Sequence, residues 1–303
     1  MPQSHRPRAP WPLASMALAL LGGCAAQMQP LADFGAASSR LATAYRPFTS
    51  GLGASCEQRE RYMALGNPGA FDDALAERAA AGKCKALREA GATAALFGQA
   101  LSDYAGALAK LSGARPTMFD GDIKGLSGAA AALATRDGTP VFDGGKLRAA
   151  TKLARAAAAL LTQAKIETLK RSTLEDNQEA LRSVVEAMKS YAGQVYAGQL
   201  TDTREVMRGE LARLVSASNA PTQADVESRL PWRYAQTAAR ADIAANELEA
   251  RRVRAFDESA DALLAAHADL IANFDKIGGA RRLELVAAFV ARVQAINDDA
   301  AAL

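Results

Sequence analysis

The chain has 303 residues, of which 50% are apolar and 6% aromatic, and its formal net charge is +3. A half-apolar composition excludes wholesale disorder, and a small charge spread over 36 basic and 33 acidic residues does not predict a nucleic-acid partner. Only two histidines are present, which leaves few candidates for imidazole metal sites or histidine-based catalysis.

The first 23 residues have the pattern of a secretory signal peptide. His5, Arg6 and Arg8 give a positive start, and an apolar run extends over 11–21. A signal peptide's apolar region has about 7–15 residues, whereas a membrane span needs about 20. We therefore expect residues 1–23 to be removed, and we exclude them from the fold.

A cysteine follows this segment directly. Leu21-Gly22-Gly23-Cys24 resembles the lipobox of bacterial lipoproteins, in which an aliphatic residue and two small residues precede a cysteine. The resemblance implies diacylglyceryl transfer to the Cys24 sulfur, cleavage before Cys24, and acylation of the new amino terminus, for example with palmitate. The alternative is an ordinary cleaved signal peptide followed by an accidental cysteine.

The resemblance also implies a location. In this family an Asp after the lipobox cysteine retains the protein at the inner membrane, and Ala25 stands at that position here. We therefore expect an anchor in the outer membrane, with the protein facing the periplasm and residues 24–30 acting as a flexible tether. One acyl chain binds a membrane only marginally, whereas the several chains of a lipoprotein hold firmly.

Two cysteines remain if Cys24 is lipidated. Cys56 and Cys84 would then form a disulfide, because the compartment beyond the inner membrane is oxidising. The turn signal over 66–69 separates two helical stretches of similar length, so the second stretch brings Cys84 back to the height of Cys56. Two buried free thiols or a redox-active pair are the alternatives, although the spacing is not Cys-x-x-Cys.

The mature region is predicted to be all-α. The chain contains 72 Ala, and the other frequent residues are also strong helix formers. No run of alternating β-branched and aromatic residues indicates a strand. We predict an elongated antiparallel helical bundle, with its long helices in the C-terminal half.

The first part of this bundle, residues 31–136, contains the cysteine pair. We predict a helix from Leu31 to Leu65, disturbed at Pro47 and over 51–53, followed by helices over 70–81 and 84–112. A weaker helix is predicted over 117–135, where three glycines lower the helix propensity. Turn residues over 137–145 mark the main internal boundary.

The second part, residues 146–303, forms the long-helix bundle. We predict a helix over 146–170, a fresh start at a capping box beginning at Ser172, and a helix reaching Ser216. The next helix starts near Pro221 and extends to Ile277, with apolar residues at alternating spacings of three and four, as in coiled coils. A last helix carries apolar residues over 283–296.

Motifs for catalysis, metal binding or cofactor binding are weak, so we predict no catalytic residue, no metal ligand and no cofactor. Asp120 and Asp122 begin like a calcium loop that then lacks its glutamate. Lys146 follows two glycines but is not followed by the Ser or Thr of a phosphate-binding loop.

Other polar and aromatic residues have plain structural interpretations. His267 is expected in the apolar interior, and Asp72, Asp73 and Glu77 are expected to complement a helix dipole. The aromatic residues of Trp232-Arg233-Tyr234 are expected to pack at a helix start, although they also suit binding of a partner or a carbohydrate.

Three functions from different classes fit this sequence. The preferred one is a non-enzymatic envelope lipoprotein that acts as a helical scaffold or protein-binding module for another envelope protein. A carrier of an apolar ligand would require an apolar cavity between helices. A peptidoglycan hydrolase would require two carboxyl groups facing one cleft, about 5–10 Å apart.

Overall fold

The protein is an elongated antiparallel bundle of α-helices, as predicted. The computed structural model describes residues 29–66, 72–111, 132–135, 138–162, 171–218, 226–276 and 284–301. No β-strand occurs in these ranges; their only extended pairing is an isolated bridge between Ala134 and Pro140. The predicted weak helix over 117–135 lies mostly outside these ranges, and its last residues, 132–135, are not helical.

Helix α1, Gln29–Leu65, is continuous over 37 residues, or about 55 Å. Pro47 lies inside it and does not interrupt it, so the predicted disturbance there and over 51–53 is wrong. Tyr45, Phe48 and Leu52 are fully buried around this point, and their burial outweighs the one backbone hydrogen bond that proline removes. The helix also begins earlier than predicted, because Pro30 occupies its first turn, where proline is tolerated.

Helix α2, Asp73–Lys83, runs back along α1 and leads directly into α3, Lys85–Leu111. Helices α1 and α3 pack very closely, and glycine makes this possible. A Cβ atom built on Gly91 of α3 would lie 2.0 Å from the backbone oxygen of Thr49. The helix axes can therefore approach only because this position has no side chain.

Helix α4, Gly144–Thr162, begins two residues before the predicted start. Oδ1 of Asp143 accepts a hydrogen bond from the backbone nitrogen of Lys146 at 2.8 Å, which is the geometry of a helix N-cap. The preceding turn contains Gly138 with φ of 83°, a conformation that favours glycine.

The long predicted helix ending near Ser216 is divided in the structure. Helix α5, Arg171–Ser190, continues into a π-helical segment, Tyr191–Tyr196, and then into helix α6, Ala197–Ser218. The predicted capping box is not formed, because Ser172 lies inside α5 and Glu175 pairs with Arg171 at 2.9 Å.

Helix α7, Val226–Ala272, has 47 residues and spans about 70 Å. It ends five residues before the predicted position and is followed by a short 3-10 helix, Phe274–Lys276. Helix α8, Glu284–Ala301, completes the fold.

One apolar core extends through the bundle, and residues on both sides of the loop over 137–145 contribute to it. Its aromatic part lies beside the first half of α1 and contains two groups of contacting rings. One group is Phe34, Tyr104, His267 and Phe289, and the other is Tyr45, Phe48, Phe97, Phe142, Tyr191, Tyr196 and Phe256. Beyond Leu52 the buried residues of α1 are Gly53, Ser55, Cys56 and Glu60. The interior of the bundle therefore changes from aromatic to polar along α1.

Candidate functional site

The cysteine pair is a disulfide, as predicted. Cys56 of α1 and Cys84, between α2 and α3, are bonded, and their Cα atoms are 5.8 Å apart. Both residues are buried, with 3% and 0% of their surface exposed. A buried bridge between helices has a structural role, since a redox-active pair must be reached by its reaction partner. Cys24 and the rest of the lipobox, Leu21, Gly22 and Gly23, lie outside the described residues.

A buried carboxylate holds α2 to α1 beside this bridge. Glu60 accepts hydrogen bonds from Lys83 at 2.8 Å and from Arg59 at 3.1 Å, and its side chain is 8% exposed. The Lys83 ammonium, followed by Arg59, holds the pKa of Glu60 below its usual value despite the opposing effect of burial. These contacts form a structural ion-pair cluster.

In the part of the interior beyond Leu52, hydroxyl and amide groups connect the helices. The hydroxyls of Ser55 and Thr203 are 2.9 Å apart, and Thr203 also donates to the backbone oxygen of Gln199 or of Ser55. Asn246 of α7 donates to the backbone oxygen of Leu200 at 3.0 Å. These bonds join α1, α6 and α7 where large apolar side chains are few.

The π-helical segment is a feature that the sequence analysis missed. Tyr191 and Tyr196 are both buried although they lie five residues apart, a spacing that puts them about 140° apart on an α-helix and on one face of a π-helix. Gly51 of α1 makes room for this segment, because a Cβ atom there would lie 2.6 Å from the Tyr196 hydroxyl oxygen. The spacing of the two tyrosines was the available signal.

A groove of about 810 Å³ lies between this segment and α7. Its lining mixes polar and apolar surface and contains three cations, Lys189, Arg204 and Arg254, and three acids, Glu186, Asp257 and Glu258. π-Helical turns are frequent at functional sites, which makes this groove one candidate site.

Three of the six charged residues of the groove, Lys189, Asp257 and Glu258, form ion pairs. Lys189 contacts Asp261 at 2.5 Å and Asp257 at 3.5 Å, and Glu258 contacts Arg292 of α8 at 3.1 Å. Burial alone would lower the pKa of Lys189, but the carboxylates of Asp261 and Asp257 raise it overall. These ion pairs join α5 and α8 to α7.

His267 is in the core, as predicted, and is 1% exposed. Its Nε2 lies 3.2 Å from the hydroxyl of Tyr104, and its ring packs against Phe34. Burial lowers the pKa of His267 to about 4. The ring is therefore neutral at physiological pH and forms part of the packing.

Asp72 and Lys146 both make structural contacts near the start of a helix. Oδ1 of Asp72 accepts from the backbone nitrogen of Leu75 at 3.0 Å and caps α2. The ammonium of Lys146 donates to the backbone oxygens of Pro140 and Val141, so it closes its own turn. The pair Asp120 and Asp122 lies outside the described residues.

The prediction that Trp232 and Tyr234 pack at a helix start is wrong. Trp232 is 38% exposed and Tyr234 is 75% exposed. Only Ala239 and Asn246 are buried between residues 230 and 250 of α7. This half of the helix therefore has a narrow inner face and a broad outer face.

The outer side of α7 opposite Ala239 and Asn246 carries the exposed Arg233 and Arg240 beside exposed uncharged residues, which include Leu230, Tyr234, Thr237, Ala241 and Ala244.

No described helix is long and apolar enough to cross a membrane. Within the same ranges, no three His, Cys, Asp or Glu side chains come together in an arrangement that would hold a metal ion. Comparison with known proteins finds no matching family model, curated protein or solved structure.

Proposed function

We propose that this protein is a lipid-anchored protein of the bacterial cell envelope that acts as a non-enzymatic helical scaffold or protein-binding module. Cys24 carries the diacylglyceryl group, and its amino group is acylated after cleavage. The anchor lies in the outer membrane, and the bundle faces the periplasm, where another envelope protein is the partner.

The observation that carries this proposal is the bond between Cys56 and Cys84. An exported chain with three cysteines has one left over, and this pairing leaves Cys24 as that cysteine. Cys24 stands at the acceptor position of the lipobox-like segment, and a stable disulfide is typical of an oxidising compartment. Both features agree with export.

The geometry suits a tethered scaffold. Helix α1 begins at Gln29, five residues after Cys24, so the tether spans at most about 17 Å. Because α1 is about 55 Å long, a bundle that stands upright on the membrane would hold its Leu65 end well away from the surface. The six charged residues that line the groove do not suit an apolar ligand, which disfavours the carrier function.

The groove also gives little support to the hydrolase alternative. Its Asp257 and Glu258 are paired with Lys189 and Arg292, whereas a glycoside hydrolase needs two carboxyl groups that face its substrate in one cleft. A structural role for these acids is therefore preferred.

The anchor is tested by metabolic labelling with a fatty-acid probe in a bacterium that processes lipoproteins. The wild-type chain should incorporate the probe and fractionate with the outer membrane, and Cys24→Ala should do neither. Ala25→Asp should move the labelled protein to the inner membrane, with Ala26→Asp as the matched control. A Cys24→Ala protein that still incorporates the probe would contradict the proposal.

The scaffold function is tested by purification of the acylated protein from envelope extracts with its bound partners. One dominant envelope protein, retained by the wild type and lost from the non-acylated Cys24→Ala form, is the expected result. A turnover of peptidoglycan fragments by the purified protein that is abolished by Glu258→Gln would instead establish the hydrolase alternative.

A further inference from the structure

We propose that one face of helix α4 contacts the anionic headgroups of the membrane that holds the protein. This basic face of α4 consists of Arg148, Lys152 and Arg155, and the contact tilts the bundle towards α4. The choice of a membrane as the occupant rests on the anchor proposed above, whereas the basic face itself does not depend on lipidation of Cys24.

The first argument is the charge of α4. Its 19 residues include four bases and no acid, while every other α-helix in the described ranges carries charges of both signs. Surface helices usually mix the two signs, because oppositely charged neighbours along a helix stabilise it. A helix with bases alone therefore indicates a surface that meets anionic groups.

Three of the four bases form a stripe on the outside of the helix. Arg148, Lys152 and Arg155 follow one another at intervals of four and three residues, so they project from one face. All three are exposed, whereas Leu153 and Leu160 are buried in the core. The stripe is about 10 Å long and presents three cations to a flat surface.

The second argument is that these cations are not neutralised within the chain. Among the described residues, Arg148 and Arg155 form no ion pair. Lys152 donates to the backbone oxygen of Asp176 in α5 and forms no ion pair with its carboxylate. Asp143, at the start of α4, accepts from a backbone nitrogen of the first helical turn. The basic face is therefore available to an external anion.

The third argument concerns the position of the basic face along the bundle. Tyr191 contacts Phe142, just before α4, and Tyr45 of α1, in each case with ring centroids 5.9 Å apart. Helix α4 therefore begins at the height of Tyr45. It runs towards the first residue of α1, because Lys152 reaches Asp176 about four helical turns before Tyr191, whereas α6 follows Tyr191 towards the end of α1.

Arg155 consequently lies close to the height of Gln29. It follows Phe142 by about 19 Å along the bundle, and Gln29 precedes Tyr45 by about 24 Å. Helix α3 packs against both α1 and α4, so two helix spacings of about 8–10 Å separate them. The tether from Cys24 spans at most about 17 Å. A membrane that holds Cys24 is therefore within reach of the basic face.

An anionic phospholipid surface is the occupant that these observations favour. Lys and Arg side chains near such a surface are attracted to it, and a polybasic patch beside a lipid anchor is a second membrane-binding signal. The basic face lies at the anchored end of the bundle and not at its Leu65 end, where a distant protein partner would be met.

Vesicle binding by the non-acylated chain tests the contact. The mature chain with Cys24→Ser is sedimented with vesicles of phosphatidylcholine alone or with about 30% phosphatidylglycerol, at about 50 mM salt. The partition coefficient should be at least about tenfold greater on the anionic vesicles, and about 500 mM salt should abolish the difference. This result is independent of fatty-acid labelling at Cys24, so failure of the anchor and failure of the basic face are distinguishable.

Combined replacement of the three bases of the basic face by Gln should remove most of the preference for anionic vesicles. The matched control removes three exposed arginines of other helices and should keep the preference; it combines Arg61→Gln, Arg78→Gln and Arg240→Gln. Both variants should keep the wild-type helical circular dichroism. Equal partition of the wild type on the two vesicles would overturn the proposal. Unchanged vesicle binding after replacement of the three bases, including the case in which an envelope protein is lost instead, would also overturn it.

A fluorescent label tests which face meets the lipid. In the chain with Cys24→Ser, the bridge between Cys56 and Cys84 leaves an introduced cysteine as the only thiol. Spin-labelled headgroups should quench a fluorophore at Ala158→Cys, exposed on α4, at least about twofold more than one at Ala268→Cys, exposed on α7. Equal quenching at the two positions would overturn the assignment to α4.

Discussion

The hydroxyl of Tyr104 in α3 lies 3.2 Å from Nε2 of His267 in α7, in the interior of the bundle. The two residues are 163 positions apart in the chain, and their hydrogen bond satisfies two polar groups that burial would otherwise leave unpaired. Burial raises the pKa of Tyr104 and lowers that of His267, so each remains neutral over a wide pH range.

The buried histidine makes stability depend on pH. The pKa of His267 is about 4 in the folded protein and about 6.5 when unfolded. The unfolded chain therefore binds a proton more readily, and stability that is present above pH 6.5 is lost as pH falls towards 4. Between pH 7 and pH 5 the free energy of unfolding should fall by about 2 kcal/mol from this residue.

Urea unfolding at several pH values checks this expectation. His267→Leu should remove most of that fall, although it costs stability at pH 7 because the Tyr104 hydroxyl loses its partner. An unchanged pH profile in His267→Leu would show that another group causes the acid sensitivity.

The close approach of α1 and α3 predicts that alanine substitutions at two glycines change the stability of the protein very differently. Gly91→Ala should destabilise the fold by about 1–3 kcal/mol, because the new Cβ atom would meet the backbone oxygen of Thr49. Gly82→Ala is the matched control, since nothing lies within 4 Å of a Cβ atom there. It should be neutral or stabilise by up to about 1 kcal/mol. Thermal unfolding of both variants measures the contrast, and equal effects would refute it.

The disulfide should contribute substantially to stability. The bridge closes a loop with a sequence separation of 28, which corresponds to about 3.6 kcal/mol in the loop-entropy model. A variant with both Cys56→Ser and Cys84→Ser should lose about that much in urea unfolding. Mass spectrometry after alkylation of the natively isolated protein should find no free thiol at either position; two alkylated thiols would contradict the bridge.

The buried carboxylate of Glu60 should matter far more than an exposed one. Glu60→Gln removes the charge that holds Lys83 and Arg59, and we expect a loss of about 1–3 kcal/mol. The pKa of Glu60 is lowered in the fold, so its contribution is present above pH 4.5 and is lost as pH falls below it.

Glu89→Gln is the control for this variant. Glu89 is half exposed, and its distance to Lys85 is 3.9 Å, so its loss should change the free energy of unfolding by less than about 0.5 kcal/mol. Comparable losses in the two variants, measured by urea unfolding at pH 7, would show that the Glu60 cluster is no stronger than a surface ion pair.

Most helices could be predicted from the sequence because their apolar spacing and turn residues are local signals. The bridge between Cys56 and Cys84 could also be predicted, since it needs only two helices of similar length and a turn. The π-helical segment at Tyr191 could not be predicted by comparing the apolar spacing with the α-helical period of about 3.6 residues. The continuity of α1 through Pro47 depends on burial of rings from distant parts of the chain, which local propensity does not contain.

The exposure of Leu230 and Tyr234 on α7 was missed for a related reason. Tyr234 and Leu230 resemble core residues in a linear pattern, and the same helix has a genuine core seam further along, at Val253 and Phe256. Only the position of Ala239 and Asn246 on the inner side shows which face is covered within one chain.

The interior changes from aromatic to polar along α1, and this change affects where the bundle unfolds locally. Segments with few buried apolar contacts open at low free energy, while tightly packed ones open only with the whole fold. Backbone amides beyond Leu52 should therefore exchange with solvent sooner than those near Tyr45. The disulfide at Cys56 lies at this border. The part of the bundle beyond Leu52 can therefore open locally while α1 stays covalently linked to the start of α3 through Cys84.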